Sequence, residues 1–210
     1  RFVRADRGER IVLAPNPGWP TVATIDPLEF RIVPDPLVRL LELRRGGVQL
    51  TQDTPEPELL DWLRGVPGIV VRRQPGTSFA YLALNLRDPR LARRRVREAI
   101  ALALDRARLV RTVLGEMARP ATGILAPEHW AFAAVPAVPY DPARARRLLD
   151  RAGLHDPDGT GPGTRLRLVY KTSSVPQRRR LAEAVQAQLA EVGIAVDIRT
   201  YEWGTLYADV

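Results

Sequence analysis

The chain has 210 residues, of which 45% are hydrophobic and 27% are charged, so it can bury a core and disorder is not expected. It contains no cysteine, which excludes disulfides, thiolate chemistry and cysteine-based metal sites. The formal charge of +8 raises nucleic acid or an anionic surface as a partner. The arginines that carry this charge are spread over solvent faces of predicted helices, so a compositional bias of the genome explains them better.

The first part of the chain alternates predicted strands and helices. Asp35 followed by Pro36 predicts a helix with a polar cap and a proline at its first position, and Gly46 is expected to end it. A second helix is expected from Thr54 through Leu63. Strands are expected at residues 9–14, 29–33, 48–50 and 69–71.

The second part begins with an extended pattern at residues 77–86 and continues with a helical pattern over residues 91–114. Asp105 lies inside this helical pattern, and a second helix is expected to begin there because aspartate competes with helical hydrogen bonds. Asp141 followed by Pro142 predicts another capped helix. The other expected elements are an irregular segment at 120–139, a loop at 156–163, a strand at 166–170, a helix at 176–192 and a strand at 194–198.

This order of strands and helices predicts an α/β fold with mixed sheets. A shift in composition near Pro75 and Gly76 indicates a boundary between two sub-domains, residues 1–76 and residues 77–210.

Motifs of catalysis are absent from the sequence, which has no Gly-x-Ser-x-Gly and no phosphate-binding loop followed by a lysine. His129 and His155 lie in different predicted loops without the spacing of metal ligands. Asp156 and Asp158 could belong to a calcium loop, but Arg167 stands where such a loop needs glutamate, and a solvated turn is favoured. We therefore expect no enzyme activity, no metal and no cofactor.

Six segments of the sequence occur in an order typical of one protein family. The most specific runs from Arg95 through Ala99-Ile100 to Asp105-Arg106. The others are residues 30–35, 43–50, 140–154 and 178–203, and Tyr81–Asn85 precedes the specific phrase. Together they resemble the family-5 extracellular solute-binding proteins of ABC importers, the dipeptide, oligopeptide and nickel-binding type.

The resemblance implies a fold of the type II periplasmic-binding-protein class, in which two lobes close on a ligand. Residues 1–76 would be the central segment of lobe I, and residues 77–210 the N-terminal part of lobe II. The implied function is the substrate-binding component of an ABC importer, which captures a peptide or similar small solute and delivers it to the membrane permease. Such a protein is periplasmic or extracellular and associated with the membrane as a lipoprotein.

We expect the chain to be a partial one, because it opens on Arg1 without an initiator methionine and any export signal would lie upstream. In peptide-binding relatives, the aspartate that pairs with the α-amine of the ligand follows the Tyr-Glu-Trp segment. That position is expected to lie beyond Val210.

The loop after the strand at 166–170 is the expected ligand site, because it leads into a helix N-terminus that favours an anionic ligand group. Lys171 would stand in for the arginine that binds the peptide carboxylate in relatives. An ordinary strand-to-helix loop capped by Ser174 is the alternative. The candidate ligand residues are Lys171, Thr172, Ser173 and Ser174, with Tyr81 and Asn85 as weaker candidates.

Two other functions remain open at this point. One is a basic nucleic-acid-binding module, although no nucleic acid is expected as a partner. The other is the ligand-sensing domain of a transcription regulator, because some regulators resemble this family in their C-terminal part. The residues that precede Arg1 would decide between a regulator and an exported receptor.

Overall fold

The computed structural model describes residues 1–21, 24–52, 57–159 and 163–208. The chain divides into two compact units, Arg1–Arg72 and Arg73–Val210. This division falls near the composition shift at Pro75 and Gly76. The assignment of the two units to lobes of a binding protein stays a prediction.

The first unit is built on an antiparallel sheet with the strand order β1-β2-β3. The strands expected at 9–14 and 29–33 are present, whereas the first strand was not predicted. Two helices follow the sheet. The elements are β1 (Phe2–Asp6), β2 (Arg10–Leu13), β3 (Leu28–Arg31), α1 (Pro36–Arg44) and α2 (Pro57–Arg64).

Helix α1 begins as its sequence predicts. Asp35 accepts a hydrogen bond of 2.9 Å from the backbone N–H of Val38, and Pro36 occupies the first helical turn, where a missing N–H costs nothing. The helix ends before Gly46, whose φ of 78° is left-handed and suits glycine. The expected start of α2 at Thr54 lies outside the described residues, and the helix continues to Arg64.

The strands expected at 48–50 and 69–71 were wrong. The first backbone N–H of each segment bonds to a nearby carbonyl instead of a ladder partner. The N–H of Val48 donates to the Glu42 carbonyl at 3.3 Å, and that of Ile69 donates to the Val66 carbonyl at 3.2 Å. The apolar residues of these short runs lie in irregular backbone that follows α1 and α2.

The second unit contains a parallel pair of strands connected by a long helix. Asp105 interrupts the helical pattern as expected, because its carboxylate accepts from the Arg108 N–H at 2.9 Å and starts a new helix. The elements are α3 (Arg94–Leu102), α4 (Arg106–Leu109), a π turn (Val110–Leu114), a 3-10 turn (Gly115–Met117), α5 (Pro142–Arg151), β4 (Leu166–Ser173), α6 (Pro176–Ala190), β5 (Ile194–Tyr201) and α7 (Trp203–Ala208).

Residues 77–86, all of which are described, form no strand. Leu82 and Leu84 instead pack as partly buried side chains against the core of the unit. The segment 120–139 is irregular, as expected.

The core of the second unit lies between α3, α5, α6 and the two strands. Its fully buried members include Val96, Leu149, Val192 and Ile194. Asp141 caps α5 by accepting from the Arg144 N–H at 2.8 Å, as its sequence predicts. The antiparallel sheet of one unit and the parallel sheet of the other confirm the α/β class with mixed sheets. Of the helices described, none is both long and apolar enough to cross a membrane.

Candidate ligand site at the carboxyl ends of β4 and β5

The two parallel strands of the second unit end at the same edge of their sheet. Their register runs from Leu166 opposite Ile194 to Ser173 opposite Tyr201. Helix α6 begins at Pro176 and α7 begins at Trp203, directly after the strands. Ligands of open α/β sheets bind outside the carboxyl ends of the strands, so this edge is the candidate site.

Strand β4 is longer than the sequence predicts. Residues 171–173, which were expected in a loop, pair in the sheet with Arg199, Thr200 and Tyr201. The backbone of this stretch pairs with β5. Because β5 lies far away in sequence, the local sequence pattern does not indicate this pairing. Only Ser174 and Val175 then connect β4 to α6.

Ser174 does not cap α6, so the expected cap was wrong, whereas the choice between a ligand site and an ordinary connection stays open. The N-cap is Val175, because Pro176 already occupies the first turn and keeps the preceding residue extended, with φ −59° and ψ 123°. The Ser174 hydroxyl donates instead to Glu202 Oε1 at 2.9 Å. The backbone N–H of Ser174 donates to the Tyr201 carbonyl at 2.9 Å. Ser174 thus joins the ends of the two strands.

The candidate residues on β4 differ in exposure. Lys171 is exposed, whereas Thr172 and Ser173 are 7% and 2% exposed. Among the described residues, the buried Ser173 Oγ has no hydrogen-bond partner. Burial raises the pKa of the neighbouring Tyr170, and the charge of Arg178 opposes that rise.

Two cations lie next to each other at this end of the sheet. Lys171 and Arg199 occupy paired positions in the register, and both are exposed. Two cationic side chains at directly opposed positions can both donate hydrogen bonds to one anionic group. Arg199 was not predicted as a site residue, although the alternation of Asp197, Arg199 and Tyr201 could have indicated that these residues share one face of a strand.

An aromatic surface lies beside the strand ends. The Arg178 guanidinium lies 5.7 Å from the centre of the Trp203 ring, and the rings of Trp203 and Tyr207 are 6.5 Å apart. Trp203 is 60% exposed and Tyr207 is 78% exposed. These residues were not predicted as site residues, because α7 itself was not predicted.

Among the described residues, no contact places Tyr81 or Asn85 at this edge of the sheet. The Tyr81 ring lies 5.5 Å from the Phe79 ring and is 74% exposed. The side chain of Asn85 accepts from the Arg87 N–H at 3.0 Å, which closes a local turn. Their part in ligand binding stays a prediction.

The acidic loop considered for calcium has its carboxylates engaged by the protein. Asp156 bonds to Arg165 at 3.1 Å, and Asp158 accepts from the Gly163 N–H at 2.9 Å. The hydrogen bond with Asp158, together with the charge of Arg165, holds the pKa of Asp156 below its usual value. Within the described ranges, no cluster of three or more His, Asp or Glu side chains could hold a metal ion.

The fold is that of the periplasmic binding proteins. The chain aligns with the periplasmic binding protein DppA of Helicobacter pylori, in complex with the peptide STSA, with a TM-score of 0.81 and 28% identity. The alignment covers 98% of this chain and 38% of that one. Residues 1–210 match the bacterial extracellular solute-binding proteins, family 5 Middle, and the chain belongs to this family.

Relatives in Pseudomonas aeruginosa (strain UCBPP-PA14) share more sequence with the chain. The chain is 34% identical over 209 residues to Di/tripeptide-binding protein 2. It is 38% identical over 213 residues to Probable di/tripeptide-binding protein 5. Each match covers 98% of this chain and 38% of the relative, so the chain spans less than half of their length.

Proposed function

We propose that this chain belongs to the substrate-binding component of an ABC importer. The component captures a peptide or a similar small solute between two lobes and delivers it to the membrane permease. The observation that carries the proposal is the shared edge where β4 and β5 end beside α6, in a chain of the solute-binding family. The names of the Pseudomonas relatives favour di- and tripeptides as the cargo.

In this proposal the first unit supplies part of lobe I, and the second supplies part of lobe II, with the boundary near residue 76. The protein acts in the periplasm or outside the cell and is held at the membrane as a lipoprotein. None of the relatives reported above is a transcription regulator or a nucleic-acid-binding protein, so neither alternative gains support.

The strand-end residues would bind a peptide through features that every peptide shares. Lys171 and Arg199 would attract its carboxylate, because two adjacent cations favour an anion between them. The exposed ring of Trp203 would cover an apolar side chain without selecting a particular one. The wall of the site beside Lys171 and Arg199 would be formed by Thr172, Ser173 and Ser174.

We propose binding without catalysis. The sequence lacks the motifs of nucleophilic catalysis, and the family is one of solute-binding proteins. The Ser174 hydroxyl, the exposed serine of the site, is engaged by Glu202 in a contact that joins two strand ends.

A thermal-shift screen of the complete gene product tests the proposal with dipeptides, tripeptides, nickel chelates and sugars. A ligand at 100 times its Kd stabilises the folded state by about 2.7 kcal/mol, which is a measurable shift in Tm. We expect di- or tripeptides to raise the Tm. The proposal of a peptide cargo is overturned if another class of solute raises the Tm and no peptide does.

A further inference from the structure

An open cavity of about 530 Å³ lies on the second unit, lined by Arg93, Arg94, Arg95, Arg151 and Ala152. Small-molecule sites have volumes of about 300–1,000 Å³, so this cavity is large enough for a small anion and its hydration shell. The lining comes from two elements, the start of α3 and the end of α5. It contains no acidic residue.

The cations of this cavity are only partly compensated. Arg94 pairs with Glu98 at 2.7 Å, and Arg93 donates to the Ala152 carbonyl at 2.9 Å. The side chains of Arg95 and Arg151 have no acidic partner among the described residues. Their charges therefore face solvent in the same depression.

The start of α3 adds to this positive potential. Arg93 is its N-cap and makes no side-chain capping bond, although this position usually holds a small acceptor. Cations at a helix N-terminus oppose the helix dipole, and an anion in the cavity would reduce both unfavourable interactions. The guanidinium group presents paired N–H donors that match the oxygens of a phosphate.

We propose that this cavity is an anion site that binds phosphate groups, separate from the strand-end site and independent of the proposed transport function. The phosphate could come from free phosphate or from the headgroup of an anionic lipid. Both sources offer the same oxygens to Arg95 and Arg151, so the experiment has one arm for each source.

The test uses the complete gene product and two double variants that each remove two positive charges. Arg95→Gln/Arg151→Gln alters the cavity. Arg108→Gln/Arg111→Gln is the matched control on exposed residues elsewhere in the unit. One arm titrates inorganic phosphate by calorimetry in about 150 mM salt, which screens unspecific attraction. The other measures sedimentation with vesicles of phosphatidylglycerol and phosphatidylcholine, against phosphatidylcholine alone.

We expect saturable binding in one of the two arms, about tenfold weaker in the cavity variant and unchanged in the control, because two charge-assisted contacts are lost. Binding in the phosphate arm identifies a free anion, and binding only to phosphatidylglycerol vesicles identifies a membrane surface. An equal loss in both variants, or no binding in either arm, overturns the proposal. Circular dichroism of both variants checks that they remain folded.

Discussion

The Ser174 hydroxyl donates a hydrogen bond of 2.9 Å to Glu202 Oε1, and this bond joins the residue after β4 to the residue after β5. The backbone N–H of Ser174 also donates to the Tyr201 carbonyl. The two strand ends are thus held by a side-chain bond and a backbone bond. These contacts support the geometry of the strand ends without help from a ligand.

A double-mutant cycle with Ser174→Ala and Glu202→Ala measures the side-chain bond. Both residues are exposed, so we expect a coupling of only about 0.5 kcal/mol in the free energy of unfolding. Urea denaturation of the wild type, the two single variants and the double variant gives this value. Strictly additive effects would show that the bond does not form in solution.

Ser173→Ala should leave the stability unchanged or raise it. The Ser173 hydroxyl is buried, and within the described part of the chain it has no hydrogen-bond partner. Removing a buried hydroxyl that makes no bond loses no favourable interaction. Thermal unfolding checks this expectation. A loss of about 1 kcal/mol or more would show that the hydroxyl has a partner.

Leu149→Ala should destabilise the second unit by about 3 kcal/mol, because it leaves a cavity in a close-packed core. Leu149 is 0% exposed and belongs to the core between α3, α5 and the strands. Leu86, which is 57% exposed in the same unit, provides the control. Leu86→Ala should change the free energy of unfolding by no more than about 0.5 kcal/mol. Similar losses in both variants would contradict the assigned core.

The Asp88 carboxylate should stabilise the protein in a pH-dependent way. Hydrogen bonds from Arg90, including one of 2.9 Å from Nε, lower the pKa of Asp88 to about 2. An unfolded aspartate has a pKa of about 3.9, so the stabilisation is present above that pH and is lost as the pH falls towards 2. The same arginine donates to the Arg167 carbonyl at 2.8 Å, which ties this turn to β4.

Asp88→Asn is therefore expected to lower the stability at about pH 6 and to make a much smaller difference at about pH 2.5, where most of the stabilisation from the carboxylate has been lost. Denaturation curves of both proteins across this range give the result. Asp61→Asn is the control, because the Asp61 side chain is 73% exposed and its ion pair with Arg64 contributes little. A difference between wild type and Asp88→Asn that does not change with pH contradicts the role given to the carboxylate.

The sequence predicts elements well where the signal is local. Asp35 and Asp141 each precede a proline and cap a helix, and Asp105 starts a new one, because a capping side chain and its N–H partner lie within one turn. Strands need a partner far away in sequence. For this reason the prediction of a strand at 48–50 was wrong, and strand β1 was not predicted.

The candidate site shows the same limit. The sequence indicates the connection between β4 and α6, but it places Lys171 and Ser173 in a loop although both lie in the strand. Lys171 and Arg199 lie next to each other because of the register between β4 and β5, which α6 separates in sequence. The partnership of Ser174 with Glu202 depends on the same register. No pattern of spacing reveals such contacts.

The most direct test of a peptide site at the strand ends is calorimetric titration of the complete gene product with a dipeptide that raises its Tm, and with the same dipeptide as a C-terminal amide. We predict that the wild type binds the free carboxylate more tightly. Lys171→Gln/Arg199→Gln should weaken that binding about tenfold and leave the affinity for the amide nearly unchanged. Arg144→Gln/Arg147→Gln, with the same change of charge, should bind like the wild type. Equal affinity of the strand-end variant and the wild type for the free dipeptide would contradict the account.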